Sequence, residues 1–317
     1  MTTGNAHGRD HGGGVDAAVA RWGGVRADWI DLSTGINPEP YPVGSIDAQT
    51  WQSLPDQRAF ARLQTAARRF WTVPDGASVL AAPGASALIA RLPAIAPDGP
   101  VVIPGPTYNE HAAAFRAAGR EVREAGEGAV RVLVHPNNPD GRIWSADELG
   151  TAPLTIIDES FCDVMPAQSH IARTAQPGTV VLKSFGKFWG LAGLRLGFAI
   201  GHPDTLGAMS DLLGPWAVSG PALGIGARAL DDMFWASATR ERLTGDARRL
   251  DTLMTRAGAK TLGGTTLFRL YRVDDAAAWQ DRLAAARIWS RIFPYSDTWL
   301  RLGLPPASGW DRLEKVL

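Results

Sequence analysis

Five short apolar runs, each closed by a polar residue, a glycine or a proline, constrain this chain more than any other feature. Residues 79–82 run into Pro83-Gly84, residues 101–103 into Pro104-Gly105, residues 130–134 into His135-Pro136-Asn137, residues 154–157 into Asp158, and residues 179–182 toward Ser184. Short continuous apolar runs separated by helical patterns read as buried strands of a mainly parallel sheet. Residues 59–71 carry such a pattern, with arginines between apolar positions, and predict an amphipathic helix on the sheet. In an α/β sheet of this kind ligands bind at the carboxyl ends of the strands, so the closing residues are where chemistry is to be sought.

The fifth run leads into Ser184-Phe185-Gly186-Lys187-Phe188-Trp189-Gly190. A lysine set among glycines and bulky apolar residues loses hydration, which lowers its pKa. A neutral amine can attack a carbonyl, and a nearby cation such as Arg195 favours that neutral form. A solvated loop lysine is the alternative reading of the same residues. Upstream, Pro83-Gly84-Ala85-Ser86 turns a strand into a helix expected over residues 87–92. The unpaired amides of such a turn, with the Ser86 hydroxyl, make a phosphate cradle.

Other candidates carry two readings each. Tyr108, just past a strand end, is a core aromatic or a ring that stacks on a flat cofactor. The glycine-rich residues 4–14 are a disordered terminus or an arm whose amides and His11 close over an anion. Asn37, extended because Pro38 follows, presents its amide to a ligand or sits in a turn. Arg301 alternates with apolar residues, which by composition alone makes it a solvated strand residue.

Composition removes several function classes. Lysine plus arginine and aspartate plus glutamate both number 32, so the net charge is zero and no basic field argues for nucleic acid. No apolar run approaches the roughly 18 to 20 residues of a membrane span, and the first residues lack a signal peptide's apolar stretch, so a cytoplasmic protein is expected. Cys162 is the single cysteine; it excludes an intramolecular disulfide and reads as a core thiol in an apolar strand pattern. No His-Glu-x-x-His pair occurs, and no metal is expected. Past Leu213-Gly214-Pro215 the strand–helix alternation ends in a helical stretch predicted over residues 222–257. The expected division is therefore residues 1–40 as arm and part of a small domain, 41–220 as the large domain, and 221–317 as the small domain.

Four motifs in order, Pro83-Gly84-Ala85-Ser86, Asn137-Asn138-Pro139-Asp140-Gly141, Asp158-Glu159-Ser160-Phe161 and Ser184-Phe185-Gly186-Lys187 with Gly190-Leu191-Ala192-Gly193-Leu194-Arg195, resemble those of fold-type I pyridoxal-phosphate (PLP) enzymes. The resemblance implies a large α/β/α domain with a mainly parallel sheet, a smaller α+β domain, and pyridoxal 5'-phosphate as cofactor. It makes Lys187 the residue that bonds the cofactor, Asp158 the partner of its ring nitrogen, Asn138 a donor to its ring oxygen and Tyr108 its stacking ring. Gly84, Ala85, Ser86, Ser184 and Arg195 would hold the phosphate, and Arg301 would fork onto a substrate carboxylate. Phe161 and Gly186 depart from the pattern, which often has tyrosine and serine there.

Within that group the chain is most similar to the threonine-phosphate decarboxylase family of cobalamin synthesis, with histidinol-phosphate aminotransferases as near relatives. His11-Gly12-Gly13-Gly14, the segment through Asn37, and residues 105–111, 213–221 and 302–305 carry this similarity. It implies a phosphorylated amino acid as substrate, contacts to it from His11, Gly12, Gly13 and Asn37, and a homodimer. Decarboxylation is the implied reaction; transamination is the alternative, because both use the same Lys187, Asp158 and Asn138.

Overall fold

The apolar runs do assemble as one sheet, and its strand order sets where the site lies. In the computed structural model, which describes residues 11–317, a short strand β1 (Ile30–Asp31) precedes the sheet strands β2 (Ser78–Ala82), β3 (Val101–Val102), β4 (Val122–Arg123), β5 (Val130–Val134), β6 (Leu154–Asp158), β7 (Thr179–Ser184) and β8 (Gly197–Gly201). Their order is β2-β8-β7-β6-β5-β3-β4. All neighbours run parallel except β8, which is antiparallel to both β2 and β7. Every residue of β6 and of β8 is buried, as strands covered on both faces require.

Two helical layers supply that cover. On one face the helix Gln57–Trp71 buries Leu63, Ala66, Ala67, Phe70 and Trp71, one stripe at spacings of three and four. It starts two residues earlier than the apolar spacing alone suggests, because the Asp56 carboxylate caps it by accepting from the Ala59 amide at 2.8 Å. On the other face Phe115 of the helix Asn109–Ala117 and Leu206 and Met209 of the helix Pro203–Leu213 join the strand side chains.

The stretch expected to be one helix over residues 222–257 is two, Gly220–Asp231 and Met233–Arg256. Asp232 breaks it: with ψ 74 it leaves the helical region and its carboxylate caps the second helix at Trp235 N, a geometry an aspartate side chain favours over helix continuation. The helix expected over residues 87–92 likewise begins earlier, as Ala85–Ile89. Cys162 lies in a 3₁₀ turn (Cys162–Val164) rather than a strand; it is buried, and burial pushes its thiol up.

Beyond the helices, β9 (Lys260–Thr265), β10 (Phe268–Arg272), β12 (Arg291–Phe293) and β13 (Ser296–Gly303) form an antiparallel sheet in the order β12-β13-β10-β9. β11 (Ile288–Trp289) pairs in parallel with β1, tying the N-terminal segment to the C-terminal sheet. The loop after β5 meets this second sheet backbone to backbone: the Gly264 amide donates to Asp140 O at 2.7 Å, and a Cβ on Gly141 would overlap the Gly264 carbonyl.

Gly197 opens β8 against the start of the helix Ala85–Ile89, where a Cβ would overlap the Ala85 amide nitrogen. Backbone atoms on both sides cannot yield as a side chain would. Gly197→Ala is therefore expected to cost about 1–3 kcal/mol, read as a lowered denaturant midpoint at unchanged m-value.

Candidate active site

Lys187 leaves the sheet just past β7, in a loop anchored by aromatic rings. Phe185 stacks on Trp189 with centroids 5.1 Å apart, and Trp189 stacks on Trp235 at 5.3 Å. With Phe185, Phe188 and Trp189 fully buried in the core, the lysine is the side chain left to enter the cavity. Its amine stands 5.3 Å over the Phe161 ring. Burial lowers its pKa first, Arg301 lowers it further, Asp158 opposes and Arg195 adds a little, leaving it at about 8. The sequence pointed to Arg195 as the cation responsible; Arg301, over a hundred positions away in the chain, is the stronger neighbour.

Asp158 closes β6 and is buried. Burial by itself would raise its pKa, but His111 Nε2 at 2.8 Å from Oδ2, with the Ser160 hydroxyl at 2.5 Å and amide at 3.0 Å from Oδ1, holds it below the ordinary carboxylate value. His111 and Ser160 were missed as functional residues, although both stand in the quoted motifs. Their signal was position: His111 lies in the first turn of the helix that Tyr108 opens, and Ser160 lies two residues past the carboxylate.

At the other end of the cavity Gly84, with φ 86, turns β2 into the helix Ala85–Ile89. A Cβ there would overlap the Arg195 guanidinium, which packs over the turn. Ala85, Ser86, Ser184, Gly186 and Arg195 line this end, and Tyr108, Asn138 and Asp158 line the rest, with Lys187 between. Amides, hydroxyls and a guanidinium at one pole, a carboxylate at the other and an amine beside them fit a phosphorylated heteroaromatic aldehyde.

A second cavity continues past Lys187, sharing Tyr108, Asn138 and Phe161 with the first. Arg301 lies here, 5% exposed rather than solvated. It donates to Ser33 O at 2.6 Å and to Asn138 Oδ1, and stands over the Phe268 ring. With its oxygen so occupied, Asn138 keeps its NH₂ as the free end of the amide. His11 and Gly12 line the same cavity, His11 Nε2 being 2.8 Å from a Glu110 carboxylate oxygen. Arg291, which the sequence reading passed over, also lines it and donates to His11 O at 2.7 Å; it sits in β12, a three-residue strand with no distinctive pattern.

Two expected ligand contacts are not where the sequence put them. Asn37 does not line either cavity: its NH₂ donates to Phe188 O at 2.9 Å and its oxygen accepts from Arg242 at 2.6 Å. The Gly13 amide is spent on Ser33 Oγ at 2.7 Å. Residues 4–10 of the expected arm lie outside the described residues.

Comparison with known proteins agrees with this geometry. Residues 28–316 match the family described as aminotransferase class I and II. The chain is 40% identical over 321 aligned positions to a threonine-phosphate decarboxylase from Sinorhizobium sp, covering 95% of each, and 39% identical over 330 to one from Pseudomonas aeruginosa, covering 97% of each. Among solved structures, histidinol-phosphate aminotransferase from Sinorhizobium meliloti in complex with pyridoxal-5'-phosphate superposes with a TM-score of 0.81 at 18% identity, over 95% of this chain and 92% of that one.

The lowered pKa of Lys187 has a thermodynamic signature in the cofactor-free protein. Between pH 8 and 10.5 the unfolded chain keeps a proton that the folded chain has lost, so this residue makes stability rise with pH across that window. The rise amounts to about 3 kcal/mol, and below pH 8 the residue adds no slope. Denaturant titrations at pH 7.5 and pH 10 should show that Lys187→Met lacks this part of the wild-type rise.

Proposed function

This chain belongs to the aminotransferase class I and II family, and on that premise we propose that it is a pyridoxal-phosphate enzyme converting L-threonine O-3-phosphate to (R)-1-amino-2-propanol O-2-phosphate and CO2. The observation that carries the reading is a cavity with two cationic stations beyond Lys187: Arg301 deep in it, and Arg291 with His11 near its rim. A substrate with a carboxylate and a phosphate needs two such stations. Identity near 40% to two proteins named threonine-phosphate decarboxylase, over nearly their whole length, supports the same substrate.

Each residue then has a task set by its surroundings. Ser86, Ser184 and Arg195, with the amides at Gly84 and Ala85, hold the cofactor phosphate. Asp158, kept ionised by His111 and Ser160, pairs with the cofactor's ring nitrogen and keeps it protonated. Tyr108 faces the ring, and the Asn138 NH₂ reaches its oxygen without help from Phe161, which has no hydroxyl. When bound, the cofactor supplies an electron sink for the pair released at the substrate carbon. Lys187, with a pKa of about 8, is partly neutral near physiological pH and so bonds the cofactor, and its amine is the group placed to return a proton to that carbon.

Gripping carboxylate and phosphate at separate stations, Arg301 and Arg291 would fix the rotation about that carbon and so decide which of its bonds is placed to break. The product is the linker of the cobalamin nucleotide loop, so we place the reaction in cobalamin synthesis, in the cytoplasm. No described helix is long and apolar enough to cross a membrane.

A homodimer completes the proposal. Trp51, Leu54, Met233 and Phe234 are all more than half exposed. Large apolar side chains held this far out in water are suited to burial by a partner. Sedimentation of the cofactor-loaded protein should give twice the chain mass, and an active monomer would remove this part of the reading.

Incubation with threonine phosphate should release CO2 and the amino-propanol phosphate in equal amounts. Arg291→Met should raise KM for threonine phosphate about 10–100-fold while leaving cofactor affinity unchanged. Formation of pyridoxamine phosphate from histidinol phosphate, without CO2 from threonine phosphate, would establish transamination instead.

A further inference from the structure

We propose that Asn37 is a positioning residue for Lys187, and that Arg242 on the helix Met233–Arg256 holds it in the orientation that aims the amine. The proposal rests on Lys187 being the residue that bonds the cofactor, and adds what fixes its direction. Asn37 is 1% exposed and binds two consecutive carbonyls of the lysine loop: its backbone amide donates to Lys187 O at 3.0 Å and its side-chain NH₂ to Phe188 O at 2.9 Å. Because each carbonyl lies in the plane of the peptide that follows it, holding both fixes the two peptide planes flanking Phe188, and the first of these constrains the direction in which the Lys187 side chain leaves the backbone.

That clamp depends on which way the amide faces. A flipped Asn37 would aim its oxygen at Phe188 O and lose the bond. Arg242 Nη2, donating to Asn37 Oδ1 at 2.6 Å, excludes the flip, and the Glu39 amide donates to the same oxygen at 3.1 Å. Arg242 is itself held by Asp246, one turn along its helix, at 3.1 Å. The two chain segments lie side by side, for Tyr41 N donates to Trp189 O at 2.9 Å, and a Cβ on Gly190, whose φ is +68, would stand 2.7 Å from Pro40 Cα. Two residues before Asn37, Gly35 lines the substrate cavity, and Ser33 O accepts from Arg301. One short stretch therefore touches the substrate wall, the lysine loop and the long helix.

The charged groups facing the Lys187 amine are Asp158 from the end of β6, Arg301 from β13 and Arg195 from the turn before β8. Releasing the clamp lets the amine leave the place where burial and Arg301 depress its pKa. The test uses the full-length cofactor-free protein: trinitrobenzenesulfonate modification of Lys187, followed by peptide mass spectrometry, as a function of pH. Asn37→Ala changes no charge, so a shift there reports geometry. Its modification midpoint should rise above that of wild type, with the rate at pH 8 falling about threefold or more. Arg242→Met, a partly exposed site that keeps the fold if Asn37→Ala does not, should shift the profile the same way, and Arg242→Lys should return it toward wild type. In the loaded enzyme the same variants should lower kcat while KM for threonine phosphate stays within about twofold. Folded variants with a wild-type pH profile, even with reduced stability, would overturn the proposal. If wild type releases no CO2 from threonine phosphate yet the profiles still shift, the substrate reading fails and the positioning role stands.

Discussion

Two lysines four positions apart have their pKa values pushed in opposite directions, and the site depends on that difference. Lys183, inside β7, meets Glu159 at 2.7 Å and Asp163 at 3.5 Å on the face where Trp71 and Trp189 also donate to Asp163. Burial alone would strip its proton, but two carboxylates outweigh that and its pKa is raised. Lys187, past the end of the strand, meets Arg301 instead and is lowered to about 8. The end of β6 serves both: Asp158, its last residue, faces the cavity, and Glu159, just past the strand, faces the ion cluster. One lysine is thereby a permanent structural cation and the other an amine available for chemistry.

Much of this could be read in the sequence because it is local. The cofactor half depends on motifs whose residues are close in sequence, such as Asp158 with Ser160 or Gly84 with Ser86, and strand ends that glycine and proline mark. What escaped depends on distant contacts. The burial of Arg301 is one such case: the resemblance assigns it to a substrate carboxylate, but its alternation with Leu300 and Leu302 alone reads as a half-exposed strand, and Asn138 and Ser33 cover it from elements far along the chain. Asn37 was given to the ligand because nothing local shows that Arg242 lies opposite. Arg291, in a strand of three residues, and β9, weakened by Gly263 and Gly264, carry too little pattern for any period to stand out.

The second cavity shows what Phe161 does in place of the tyrosine that the family pattern often has. Phe161 has no hydroxyl for the ring oxygen, yet its ring closes against Phe268 with centroids 4.9 Å apart, and Gly35 leaves room for both. Phe268 lies beneath Arg301 and Phe161 beneath Lys187, so the aromatic wall screens both side chains from water on one side. Asn138, oriented by Arg301, is the donor we propose for the ring oxygen.

The two halves of the site also differ in when a growing chain can complete them. Every residue assigned to the cofactor lies between Gly84 and Arg195, a continuous third of the sequence. The substrate half joins the chain's beginning, at His11 and Ser33, to Arg291 and Arg301 near its end. Since domains form from the N-terminus as synthesis proceeds, the cofactor station can assemble on a ribosome-bound chain whose substrate station does not yet exist. A cofactor captured at that stage would act as a ligand that favours the folded large sheet, before the last strand brings Arg301, the residue we propose for the substrate carboxylate.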